Sequence, residues 1–123
     1  MNYIRVNTND NKVVVTAEAS LITNYDRQNY VWVIRFYKSK DYSKPIAAKT
    51  YLDQVFTPKK NIKSNPTFED SFVLDVPPGT YVAEVAVLDV SRIIDPNLLH
   101  DQDVMKSCGV TFARKKFVVG PHE

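Results

Sequence analysis

The sequence predicts an all-β chain, an antiparallel sandwich of two sheets. Three observations carry this. Short apolar runs with alternating or near-continuous hydrophobicity recur along the chain, broken by polar turn clusters about every ten residues, which gives about seven strands. No long stretch has the apolar spacing of an amphipathic helix. The stretch Val76–Val90, "VPPGTYVAEVAVLDV", turns a tight corner at Pro77-Pro78-Gly79 and runs directly into a tyrosine and a strand.

The strands follow in order. "YIRV" (Tyr3–Val6) is short, and the polar "NTNDNK" turns the chain. "VVVTAEA" puts Val13, Val15, Ala17 and Ala19 on one face. After the turn cluster "NYDRQN", "YVWVIRFY" puts Tyr30, Trp32, Ile34 and Phe36 on a bulky apolar face, with Arg35 on the other. This is the expected central strand, with Trp32 as core anchor. "IAAKTYLDQVF" (Ile46–Phe56) is expected as a bent or edge strand. "FEDSFVLDV" alternates at Phe72, Leu74 and Val76. Tyr81, Ala83, Val85 and Val87 share the next inward face, and "VTFARKKFVV" (Val110–Val119) supplies the last strand. Trp32, Phe36, Phe72, Leu74, Tyr81, Val85 and Val87 are the expected shared core.

The corner has a mechanical reading. Proline presets φ, and Gly79 tolerates backbone angles that other residues resist. Tyr81 then enters its strand ring inward, and its hydroxyl is expected to reach the backbone just upstream. The residues "LDVPPGTYVAEV" resemble the E–F corner of immunoglobulin-like and fibronectin-type-III-like sandwiches. The resemblance implies that Phe68–Val76, Tyr81–Val90 and Val110–Val119 are strands E, F and G. The cysteine pair of antibody domains has no counterpart, because Cys108 stands alone.

At 123 residues the chain suits one domain with a sizeable core. A net charge of +2 is too mild for a dedicated nucleic-acid binder. "MNYIRVNTND" has neither the basic nor the apolar part of a signal peptide, and no run is long enough to span a bilayer. The expectation is a cytoplasmic or virion component without a membrane partner.

Ser91–Gly109 is much longer than a hairpin needs. Asp95 is placed to cap a short helix there, with Pro96 at its first position. Ile93, Ile94, Leu98, Leu99, Val104 and Met105 give the segment the apolar content of a partner-binding loop.

Catalytic chemistry finds little footing. His100 and Cys108 share that long connection, but no oxyanion-type glycine loop accompanies them, and His122 lies near the chain end. Asp95, His100, Asp101 and Asp103 are metal ligands by type, yet their spacing fits no metal-binding template. Capping and solvated carboxylates explain them as well. Lys59, Lys60 and Lys63 in one loop, and Arg114, Lys115 and Lys116 in the last strand, read as solvated faces. The second cluster also reads as a guard against edge-to-edge mispairing.

The expected function is a non-enzymatic structural or protein-interaction module of a virion or other multi-subunit assembly, with a protein partner or further copies of itself and without cofactor, metal or nucleic acid. Two alternatives stay open. One rests on resemblance to intracellular immunoglobulin-like proteinase inhibitors, whose corner also reads P-G-T-Y, and implies inhibition through the 91–109 loop. The other is a carbohydrate- or ligand-binding sandwich, which requires Tyr25, Tyr37 or Tyr42 grouped on an exposed surface.

Overall fold

The computed structural model describes residues 1–24, 28–92 and 109–120. These form seven strands: β1 (Tyr3–Asn9), β2 (Lys12–Glu18), β3 (Tyr30–Lys38), β4 (Ala47–Thr50), β5 (Thr67–Val73), β6 (Gly79–Asp89) and β7 (Gly109–Val119). They make two antiparallel sheets, ordered β1-β2-β5 and β4-β3-β6-β7, packed face to face as a β-sandwich. The expected short helix and its cap at Asp95 lie outside the described residues, apart from a single 3-10 turn at Val90–Arg92. No helix among the described residues is long and apolar enough to cross a membrane.

The alternation read from sequence sets which side chains meet. β2 turns Val13, Val15 and Ala17 inward, and β3 meets them with Tyr30, Trp32, Ile34 and Phe36. β6 adds Tyr81, Ala83, Val85 and Val87, and Leu74 joins the same cluster. Rings lock the two sheets together. Trp32 lies 5.5 Å from Phe68, Phe36 meets Phe72 edge-on at 5.0 Å, and Tyr51 meets Phe68 edge-on at 5.0 Å. The expected core forms, with Phe72 half-buried because β5 is an edge strand.

The turns follow from their residues. β1 and β2 join through Asp10 and Asn11, with Asn9 paired to Lys12. Asp10 takes φ +54°, the left-handed angle a two-residue hairpin asks for and aspartate tolerates. At the Pro77-Pro78-Gly79 corner, Gly79 sits at φ +157°, an angle costly to a residue with a Cβ. The Tyr81 hydroxyl donates to the Pro77 carbonyl at 2.6 Å, which ties the start of β6 to the connection before it.

One strand is shorter than its sequence suggests. Ile46–Phe56 holds only the four-residue strand β4, after which the chain turns at Leu52–Gln54. Tyr51 and Phe56 return to β3 by backbone hydrogen bonds to Trp32 and Tyr30. The aromatic rings, wanted in the core, pull the chain out of a straight path. The β4 side of the sandwich is then latched across the sheets. Asp70 of β5 accepts from the Tyr51 hydroxyl at 2.6 Å and from Lys49 Nζ at 3.4 Å.

β3 and β6 are buried on both faces. The outward positions Val31, Val33, Arg35, Tyr37, Val82, Glu84, Ala86 and Leu88 are as inaccessible as the inward ones. Both sequences, "YVWVIRFY" and "YVAEVAVL", are near-continuous apolar runs, and such runs suit strands flanked on every side. Arg35, expected on the non-core face, is on that face but 2% exposed. This buried arginine sets up the surface described next.

Candidate functional site

A row of three charges crosses the outward face of the four-stranded sheet. The register places Arg35 of β3 opposite Glu84 of β6, and Glu84 opposite Arg114 of β7. Glu84 is 4% exposed, so its carboxylate needs compensation. Arg114 Nε donates to Glu84 Oε2 at 2.6 Å, and the Arg35 guanidinium lies 3.6 Å from Oε1. Two cations against one anion leave the row positive on balance. Arg35 and Glu84 are buried, while the Arg114 side chain is partly open to solvent.

Rings hold Arg114 in place. Its guanidinium lies 4.2 Å over the Tyr42 ring and 5.6 Å over Phe112. Tyr42 packs edge-on against Tyr37 at 5.4 Å. A local turn sets Tyr42: Asp41 Oδ1 accepts from the Ser43 hydroxyl at 2.6 Å and its backbone N–H at 3.2 Å. Those bonds hold the Asp41 carboxyl below its usual range. Burial, seconded by the Glu84 charge, pushes the Tyr37 hydroxyl up. Tyr37 is therefore a neutral structural ring.

Beside Arg114, β7 presents a strip. Phe112 pairs with Ala86, Lys116 with Val82 and Val118 with Thr80, so Phe112, Arg114, Lys116 and Val118 share the outward face. Phe112 is 60% exposed and Val118 is 61% exposed. Lys115 points the other way and is also exposed. Phe117 and Val119 turn into the core and anchor the strand. β7 is the last strand of its sheet, and β1 of the other sheet runs close beside its second edge without pairing to it. The Met1 ammonium donates to Thr111 Oγ1 at 2.7 Å, so the chain start lies beside the strand.

The expected partner-binding residues Ile93, Ile94, Leu98, Leu99, Val104 and Met105 lie outside the described residues. So do Asp95, His100, Asp101, Asp103, Cys108 and His122. Among the described residues no three His, Cys, Asp or Glu side chains gather as metal ligands. Of the tyrosines needed for a carbohydrate platform, Tyr37 is buried, Tyr42 is half-buried against it, and Tyr25 lies outside the described residues. The loop cluster of Lys59, Lys60 and Lys63 is exposed beside the exposed Ile62.

Sequence reasoning saw Arg114–Lys116 as a solvated edge guard and missed the row behind it. The signal was a single charge within each of two apolar strands, "IRF" and "AEV", and the arginine that opens the "RKK" run of the last strand. Only the register turns those three into neighbours.

Comparison with protein-family models, with curated proteins and with solved structures found no match to this chain.

Proposed function

We propose that this chain is a non-enzymatic protein–protein interaction module of immunoglobulin-like architecture, serving as a component of a larger protein assembly. The observation that carries the proposal is the β7 strip: two large apolar side chains, Phe112 and Val118, stand in water around two cations on the outward face of the last strand of the sheet. Burying such side chains at an interface recovers roughly 1.5–3 kcal/mol each. The aromatic and arginine content matches the residues that dominate protein interfaces. The strand order, β1-β2-β5 over β4-β3-β6-β7, and the Tyr81 bond to Pro77 support the immunoglobulin-like reading.

The test is patch-dependent association. The tagged full chain is crosslinked in the cells that make it and purified beside the Phe112→Ser/Val118→Ser variant. Both substituted positions are exposed, so the fold is retained. The reading expects a defined set of proteins captured by the parent chain and lost with the variant. An identical set from both chains contradicts it.

A further inference from the structure

We infer that the loop tip formed by residues 21–24 and 57–64 is a second binding surface of this chain, one that docks on the anionic face of a lipid bilayer. Lys59, Lys60 and Lys63 meet the headgroups, and Ile22 and Ile62 enter the apolar boundary beneath them.

Backbone pairing builds the tip. Leu21 and Ser64 exchange both of their backbone hydrogen bonds at 2.8 Å, and the Asn61 N–H donates to the Thr23 carbonyl at 2.8 Å. Between those anchors Ile62 and Lys63 stand opposite the single residue Ile22. Two residues against one is the arrangement of a β-bulge, which re-aims side chains. Leu21 and Thr23 are buried, whereas Ile22 and Ile62 are each more than half exposed. A turn closes the tip. The Ile62 N–H donates to the Lys59 carbonyl at 3.3 Å, and Asn61 takes φ +61°, a left-handed angle that asparagine tolerates. Lys59, Lys60 and Lys63 are exposed around that turn. The shape is held by main-chain bonds, so none of the five outer side chains is spent on holding it.

Charge and composition choose the occupant. Residues 54–68 carry Lys59, Lys60 and Lys63 and no carboxylate, and residues 19–24 carry no charge. The tip therefore holds +3 while the whole chain sums to +2, so the rest is close to neutral. No ion pair with a described residue neutralises these lysines. An anionic bilayer attracts each lysine that comes within a Debye length of its surface. Aliphatic side chains among lysines suit the headgroup boundary, where the apolar tips enter and the ammoniums stay wet. Protein interfaces are depleted in lysine, and nucleic-acid strands are held by aromatic stacking. Residues 21–24 and 57–64 contain no aromatic side chain. Docking of this kind is peripheral, so it asks for no spanning segment.

The experiment is sedimentation of the full chain with vesicles of phosphatidylcholine alone, or with about one-third phosphatidylserine. The inference expects binding to the anionic vesicles that weakens as salt rises, and none to the neutral ones. Lys59→Gln/Lys60→Gln/Lys63→Gln and Ile22→Ser/Ile62→Ser should each bind at least tenfold more weakly. Lys12→Gln/Lys38→Gln/Lys44→Gln makes the same charge change at the other end of the strands and should lose about threefold at most. All these positions are exposed, and circular dichroism verifies each fold. Bromine on the acyl chains should quench a tryptophan placed by Ile62→Trp and leave the buried Trp32 bright. Equal loss with the two glutamine triples overturns the inference, as does binding to neutral vesicles or the absence of quenching at position 62. So does an oligothymidylate or a polyglutamate peptide that displaces the anionic vesicles from the tip. The β7 strip is read separately, through partner capture that depends on Phe112 and Val118.

Discussion

Replacing Glu84 by glutamine tests the energetics beneath the strip. Glu84 is a buried carboxylate between Arg35, also buried, and Arg114, which reaches solvent. Glutamine keeps the shape and removes the charge. Arg114 is then free to swing into water. Arg35 is held among packed side chains and has lost the carboxylate 3.6 Å away. Removing one charge of a buried ion pair costs about 3–5 kcal/mol, a large share of a stability of roughly 5–15 kcal/mol. Removing the exposed end is milder: Arg114→Gln leaves the Arg35–Glu84 pair intact and should cost about 1–2 kcal/mol, more than a surface pair because Glu84 is buried. Replacing the buried pair together, Arg35→Met with Glu84→Leu, should return most of the loss, because the buried ion pair is then removed whole and its desolvation with it. Urea unfolding followed by Trp32 fluorescence measures all three, since Trp32 is the single tryptophan and is buried. A Glu84→Gln loss under about 1 kcal/mol, or a double variant as unstable as the single one, would refute this account of the charge row.

Three further expectations follow from the packing. Tyr81→Phe loses the 2.6 Å bond to the Pro77 carbonyl and should cost about 0.5–1.5 kcal/mol in the same unfolding assay. Trp32→Ala empties the space against Phe56 and Phe68 and should cost about 3–5 kcal/mol, read by thermal unfolding since the probe is gone. The Asp70 carboxyl is held below its usual range, chiefly by the Tyr51 hydroxyl. A depressed folded-state pKa contributes stability above the unfolded value, about pH 4, which is lost as pH falls through the folded value. Tyr51→Phe removes that bond, so its melting temperature should fall less steeply between neutrality and acid than the parent's.

The parts of the fold legible in the sequence were those set by local chemistry. Alternation in Val13–Ala19 and Tyr30–Phe36 fixed their inward faces, because a strand has a period of two and no other way to bury those groups. Pro77-Pro78-Gly79 and Tyr81 identified the corner, because each residue there has a single geometric use. The length of β4 was less legible. Ile46–Phe56 is apolar enough for a long strand, and only the pull of Tyr51 and Phe56 toward β3 ends it early. The candidate site was legible only in part. Arg114, Lys115 and Lys116 were visible as an edge cluster, but Arg35, Glu84 and Arg114 are separated by 49 and 30 residues, as their numbers show, and meet only through strand register. Tyr42 lies in a polar connection that gives no hint of the arginine it supports. The apolar residues of the 91–109 connection were the sequence's own choice for a partner contact, and they lie outside the described residues.

The central claim is that β7 is where this chain meets its partner. A photocrosslinking amino acid at position 112, and separately at 118, tests it most directly, with position 73 as control. Val73 is 71% exposed and lies on β5, an edge strand of the other sheet. The account predicts that irradiation in cells links the chain to the same defined protein from 112 and 118, and links nothing specific from 73. Equal crosslinking from all three positions, or a specific adduct from 73 alone, would contradict it.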